Sequence, residues 1–167
     1  MLKRKLNGLI KISGDGIKSE KILKELKNFA KKYSTVVIIG GGTNISAEFE
    51  KKGFGIKFCP LGRITESLEE KKLAIKILKK NQKYFQNFIG AKGIKARVEI
   101  PGRNIGSVLC PENGDIMVLS AYLGFDKIII FTRESNIKAK KLWLKKVAKV
   151  FGHIEKGKLD KIEIKGF

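Results

Sequence analysis

The sequence predicts an α/β fold: a three-layer, open, mostly parallel sheet flanked by helices, formed by a single domain over residues 1–167. Three observations lead there. Residues 35–39 and 127–132 are apolar, β-branched runs without polar alternation, the pattern of strands covered on both faces. Segments with apolar residues at helical spacing separate the strand runs, so the order strand, helix, strand, helix repeats. A chain of 167 residues with 43% hydrophobic content is long enough to bury about 70% of its unfolded surface in one core.

Taken in order, residues 5–12 hold the short apolar run Leu9-Ile10 and end in Ser13-Gly14-Asp15-Gly16, a strand followed by a loop. A helix follows with Ile22, Leu23, Leu26, Phe29 and Ala30 on one face and lysines on the other. The strand at 35–39 stops at Gly40-Gly41-Gly42, and residues 44–51 read as a helix. A short strand at 55–59 is stopped by Pro60. Ser67-Leu68-Glu69-Glu70 has the spacing of a capping box and opens a long helix closed by Gly90. Residues 96–100 form the next strand. Asp115 is expected to cap a helix running to Leu123, with Gly124 as its stop. After the strand at 127–132, a last helix turns Ala139, Trp143, Val147, Val150 and Phe151 inward, and 162–164 is a final strand.

Composition narrows the partners. Lys and Arg number 36 against 16 Asp and Glu, a formal charge of +20 that attracts nucleotides, phosphorylated metabolites, nucleic acid or acidic proteins. Five of these cations are arginines and the lysines spread along every helix, which fits a solvated surface better than a base-reading face. No apolar run reaches the ~20 residues of a membrane span. The apolar stretch after the basic start is interrupted by Lys11 and is too short for a signal peptide. Cys59 and Cys110 are too few for a disulfide framework and are not spaced as metal ligands, so a cytoplasmic protein without a protein-bound metal is expected. The lone histidine, His153, is expected at a helix terminus or the surface, and Trp143 in the core.

In sheets of this kind, ligands bind beyond the carboxyl ends of the strands. Two glycine loops lie there. Gly40-Gly41-Gly42 joins a buried strand to a helix whose free N–H groups and dipole favour an anion; the same glycines also suit a tight turn. Gly14 and Gly16 repeat the design after the first strand. Lys11, just before that loop, could reach a transferred phosphate, or it could be an edge-strand lysine facing water.

The blocks around these residues resemble the amino acid kinase family, N-acetylglutamate kinases in particular. Leu9-Ile10-Lys11-Ile12-Ser13-Gly14 resembles the opening Lys-x-Gly-Gly motif, and residues 36–45 resemble the strand and triple-glycine loop. Leu61-Gly62-Arg63-Ile64-Thr65-Glu66 is similar to the family's Leu-Arg-Val-Thr-Asp stretch before a long helix. Asn113-Gly114-Asp115 and residues 120–132 resemble the Asn-Ala-Asp helix and its following strand. The resemblance implies an ATP-dependent phosphotransferase acting on a small-molecule acceptor, with Mg²⁺ bridging the nucleotide phosphates. It implies that Lys11 contacts the transferred phosphate, that Gly14, Gly40, Gly41 and Gly42 hold it, and that Asp115 orients the lysines. Arg63 is implied to pair with an acceptor carboxylate, and Asn113 to lie near the acceptor. A second lysine follows residue 132, with Lys138 the nearest choice among Lys138, Lys140 and Lys141. A homodimer is implied, helped by the apolar long helix at 67–89.

The chain departs from that pattern at Ser13 and Asp15, and reads Arg133-Glu134-Ser135-Asn136 where the family has Asp-Val-Asp-Gly. It is also well short of the usual family length, so the carboxyl-terminal elements that build the adenine and ribose pocket in relatives are expected to be largely missing. Two alternatives therefore stand beside the kinase: a non-catalytic relative that binds an anion or nucleotide, and a nucleic-acid binder working through the +20 charge.

Overall fold

A computed structural model describes residues 5–59, 62–155 and 158–167. Five strands form one all-parallel sheet: β1 (Leu6–Ile12), β2 (Tyr33–Ile39), β5 (Ala96–Glu99), β8 (Lys127–Thr132) and β9 (Ile162–Gly166). Their spatial order is β5-β2-β1-β8-β9. The chain winds outward from β1 through β2 to β5, then returns across the sheet to β8 and β9. The winding direction therefore reverses between β1 and β8, the place where open α/β sheets leave a crevice for ligands.

Alternation along the strands sorts the core into two layers. Ile10, Ile12, Val37, Ile39, Val98, Ile129 and Phe131 pack under α1 (Glu20–Lys32) and α3 (Leu68–Ala91). Leu9, Ile38, Ile128 and Ile130 pack on the opposite side under α4 (Gly114–Ser120) and α5 (Ile137–Ala148). The expected three-layer α/β architecture is what the chain adopts. Helix α1 buries Ile22, Leu26, Phe29 and Ala30, one stripe at i, i+4, i+7 and i+8, and Ser19 caps it by accepting from Ile22 N. Helix α3 opens with the expected capping box: Ser67 accepts from Glu70 N at 3.1 Å, and Glu70 accepts from Ser67 N at 3.3 Å. Its glutamines do a second job. Gln86 accepts from Val98 N and donates to Ala96 O, while Gln82 donates to Val98 O, so side chains satisfy the backbone of the edge strand β5 where a sixth strand would lie.

Beyond the sheet, α2 (Gly42–Lys51) packs Ile45 and Phe49 against Ala74 and Leu78 of α3. Two hairpins stand apart from the main sheet: β3 (Lys57–Cys59) with β4 (Gly62–Ile64), and β6 (Gly102–Ile105) with β7 (Val108–Pro111).

Several expectations are corrected. The strand expected at 55–59 is three residues of a hairpin. Pro60, expected to stop the first, lies outside the described residues, as does Leu61. Asp115 is inside α4, capped by Asn113, and the helix ends at Ser120 before a separate 3-10 turn, Tyr122–Gly124. Ala139 and Val150, expected inward, are exposed: the buried stripe of the last helix runs through Leu144 and Ala148, and α5 ends at Ala148. Among the described residues, no helix is long and apolar enough to cross a membrane.

Candidate functional site

Lys11 is the second-to-last residue of β1, paired in register with Ile38 of β2 and Ile130 of β8. With strands on both sides it is not an edge lysine. It shares the face of Leu9, so its side chain enters the α4–α5 layer, where only 8% of the residue stays exposed. A buried ammonium needs a counter-charge, and Asp115 provides it: Lys11 Nζ lies 3.3 Å from Asp115 Oδ1. The cap aims that carboxylate, since Asn113 Oδ1 accepts from Asp115 N at 2.8 Å and starts α4 at this point. Gly114 makes room, because a Cβ there would lie 3.4 Å from Lys11 Cε.

The second lysine is Lys140 of α5, whose Nζ donates to Asp115 Oδ2 and lies 5.6 Å from the Trp143 ring centre. Lys138, the sequence-based choice, is exposed instead and takes no part in the cluster. The signal was present in the spacing. Leu144 and Ala148 form the buried stripe of α5, and Lys140 continues it one turn earlier, whereas Lys138 points away.

Burial pushes the Asp115 carboxyl up, but the two ammonium groups more than offset this and hold it below the ordinary carboxylate range. Lys11 is lowered, chiefly by burial; Asp115 opposes that shift and Lys140 adds to it. The cluster is thus one ionised carboxylate between two lysines, with positive charge in excess.

On the other side of Lys11 lies the triple-glycine loop. Gly40 N donates to Ile12 O at 2.9 Å, tying this loop to the end of β1. The first loop packs directly on it: a Cβ on Gly14 would meet Gly40 O at 2.9 Å. Gly14 therefore serves loop-on-loop contact, while Gly42 has open space beside it. Helix α2 starts at Gly42 with no side-chain cap, leaving its first N–H groups unclaimed.

These elements enclose a cavity of about 500 Å³. Lys11, Gly40, Gly41 and Gly42 line one end; Arg63, Asn113 and the floor residues Ala74 and Leu78 line the rest. Arg63 is held against Phe49 and Phe58, at 5.3 and 4.7 Å from their ring centres. Its Nη2 donates to Ser46 Oγ at 2.7 Å and Gly42 O at 3.0 Å, whereas Nη1 is buried and has no hydrogen-bond partner among the described residues. Gly62, at φ 129°, opens β4 and abuts Asn113. Lys11, Gly40–Gly42, Arg63 and Asn113 are thus brought around one space, with Asp115 behind Lys11 and outside the lining. Glu112, the one carboxylate among the described residues of the lining, is paired with Arg103 at 2.9 Å, so the walls favour an anion.

A further pair was not anticipated. Arg133, just past β8, donates from Nε to Asp15 Oδ2 at 2.6 Å, and Ser13 Oγ donates to Phe131 O at 3.3 Å. Together they stitch the carboxyl ends of β1 and β8. Single residues in two distant loops carry no sequence periodicity that would reveal this.

The fold is shared with smu.665 from Streptococcus mutans UA159, a crystal structure that matches with a TM-score of 0.66 at 15% identity, covering 96% of this chain and 95% of that one. No protein-family model matches the chain, and no curated protein matches it.

Proposed function

We propose that the chain is an ATP-dependent small-molecule kinase, amino acid kinase-like, that transfers a phosphoryl group to a carboxylate or phosphate acceptor in cytoplasmic metabolism. The observation that carries this reading is the placement of Lys11 and Lys140 on the two oxygens of one buried Asp115, beside the uncapped start of α2. Phosphoryl transfer asks little covalent chemistry of a protein. It asks for fixed positive charge where negative charge collects, in a place poor in water. Asp115 positions both cations and is no base, since each of its oxygens already faces an ammonium group. Lys11 faces the cavity end where a transferred group would rest against the N–H groups of α2. Arg63 Nη1 is the buried donor that an acceptor's anionic oxygen would satisfy, and Asn113 lines the same space.

The donor set fits a polyphosphate. Mg²⁺ would arrive with the nucleotide, held largely by its phosphates and by water. ATP supplies the phosphoryl group when bound. In the same reading the chain pairs as a homodimer along α3, which leaves Leu68 and Tyr84 exposed; sedimentation measures that state.

One observation favours the second reading, a non-catalytic relative that binds an anion or nucleotide. No residue of β8, β9 or α5 lines the cavity, so it provides for an acceptor without enclosing a base and ribose. The experiment that separates the two is acceptor-dependent ADP release over a panel of small carboxylates and phosphomonoesters, wild type beside Lys11→Ala. The kinase reading expects turnover that falls on the order of a hundredfold in the variant. Saturable nucleotide binding without turnover on any acceptor supports the second reading, and absence of binding removes both.

A further inference from the structure

From the geometry we infer that Arg133 is the nucleotide-phosphate clamp of this site, set in position by Asp15. The inference rests on the phosphoryl-transfer reading and deepens it.

The winding reverses between β1 and β8, so the crevice for a ligand opens at their carboxyl ends. Arg133 follows β8 directly, and Asp15 lies in the turn after β1. Their contact crosses that crevice. It uses Nε alone, at 2.6 Å, and among the described residues neither Nη1 nor Nη2 makes a hydrogen bond. The Arg133 side chain is 59% exposed, so the two Nη groups face solvent. An arginine tied at Nε and free at both Nη groups presents a planar pair of donors, the shape that meets two phosphate oxygens at once.

The charge count agrees. Asp15 is near enough to Lys11 to favour its charged form, so Arg133, Asp15, Lys11, Asp115 and Lys140 form one electrostatic cluster. Three cations and two carboxylates leave it one positive charge in excess. The second lysine is reached through α5, on the same side of the sheet as Lys11. A polyphosphate extending from Lys11 toward β8 would pass Arg133, while the acceptor cavity lies in the other direction, toward α2 and α3. Asp15 is the positioning residue: it fixes the Arg133 side chain, which has no other hydrogen-bond or ion-pair partner among the described residues.

The test is calorimetric binding of Mg·ATP and of inorganic tripolyphosphate, which carries no base or ribose, to the wild type and four variants. Arg133→Ala is expected to weaken both probes roughly ten- to a hundredfold, the range for a lost charge-assisted contact. Arg133→Lys recovers little, because a point charge lacks the paired donors. Asp15→Ala weakens both probes, and Asp15→Asn, whose amide oxygen still accepts from Nε, restores the affinity. Since both positions are on the surface, melting temperatures stay close to wild type, and a loss of affinity reports on phosphate contact. If Lys11→Ala abolishes binding while Arg133→Ala leaves it within twofold, the site stands and the clamp is overturned. Arg133→Lys matching the wild type overturns the paired-donor geometry, and Asp15→Ala that binds more tightly overturns the positioning role. A wild type that binds neither probe removes the phosphoryl-transfer reading, and the clamp with it.

Discussion

Asn113 Oδ1 accepts from Asp115 N at 2.8 Å, and the bond that starts α4 also aims the Asp115 carboxylate between two lysines. A helix cap and an electrostatic site are therefore one arrangement. Truncating the cap, Asn113→Ala, is expected to cost about 1 kcal/mol from the cap alone. Truncating the carboxylate is worse. Asp115→Ala leaves Lys11 buried with no counter-charge, at a cost of about 3–5 kcal/mol. Denaturant unfolding of the two variants measures the difference, and equal losses would mean that the carboxylate holds nothing together.

The same cluster gives stability a pH dependence whose sign can be worked out. Asp115 is lowered in the folded state, so its contribution is complete above the ordinary carboxylate pKa of about 3.9 and is lost as pH falls through the lower folded value. Lys11 is lowered too, which for a lysine means that the folded state releases its proton first. Below its folded pKa the buried charge is a burden, and stability rises with pH from there up to the unfolded value of about 10.4. Lys11→Met removes that rise. Melting temperatures of wild type and variant between neutral and alkaline pH are expected to diverge in favour of the wild type, and parallel curves would contradict the burial of a titrating Lys11.

Two glycines in the two loops separate packing from ligand approach. A Cβ at Gly14 would meet the backbone oxygen of Gly40 at 2.9 Å, and backbone yields little. Gly14→Ala is expected to destabilise by about 1–3 kcal/mol. Gly42 has nothing within 4 Å of its Cβ position and no positive φ, so Gly42→Ala is expected to fold as well as the wild type. If an anion rests on the first N–H groups of α2, that methyl group hinders its approach, and phosphate affinity falls while the melting temperature holds. Unchanged affinity in Gly42→Ala would place the anion elsewhere.

The features legible in the sequence are those that repeat. The buried strands at 35–39 and 127–132, the amphipathic stripe of α1 and the Ser67–Glu70 box all follow from spacing within a few residues, and each is found in the structure. What escaped depends on contacts between distant segments. The β6–β7 hairpin has no apolar alternation to mark it, because its outward Ile105 and Val108 are exposed and its register is set by pairing alone. Within the site, Lys11 and Asp115 could be named because short blocks surround them. Lys140 lay among neighbouring lysines that differ only in which way the helix turns them. Arg133 and Asp15 meet only because β1 and β8 are neighbours in the sheet, which depends on strand order and not on local pattern.

Arg63 joins the hairpin, α2 and the cavity, and its role can be divided by kinetics. Its plane is held against Phe49 and Phe58, Nη2 is spent on Gly42 O and Ser46 Oγ, and Nη1 is buried without a partner among the described residues. A buried donor left empty costs about 1–3 kcal/mol, so a ligand oxygen that fills it gains that much relative to one that does not. Arg63→Lys keeps the charge but has one nitrogen to do the work of Nη2 and Nη1, and it loses the flat contact with Phe58. Acceptor affinity is therefore expected to fall about tenfold or more for 1.4 kcal/mol or more of lost interaction. Because Arg63 lines the cavity wall and makes no contact with Lys11 or Asp115, the loss belongs in KM for the acceptor, with kcat changed much less. An acceptor lacking its anionic group should be indifferent to the substitution. Equal loss for charged and uncharged acceptors, or a fall confined to kcat, would show that Arg63 supports the hairpin and the start of α2 without touching the acceptor.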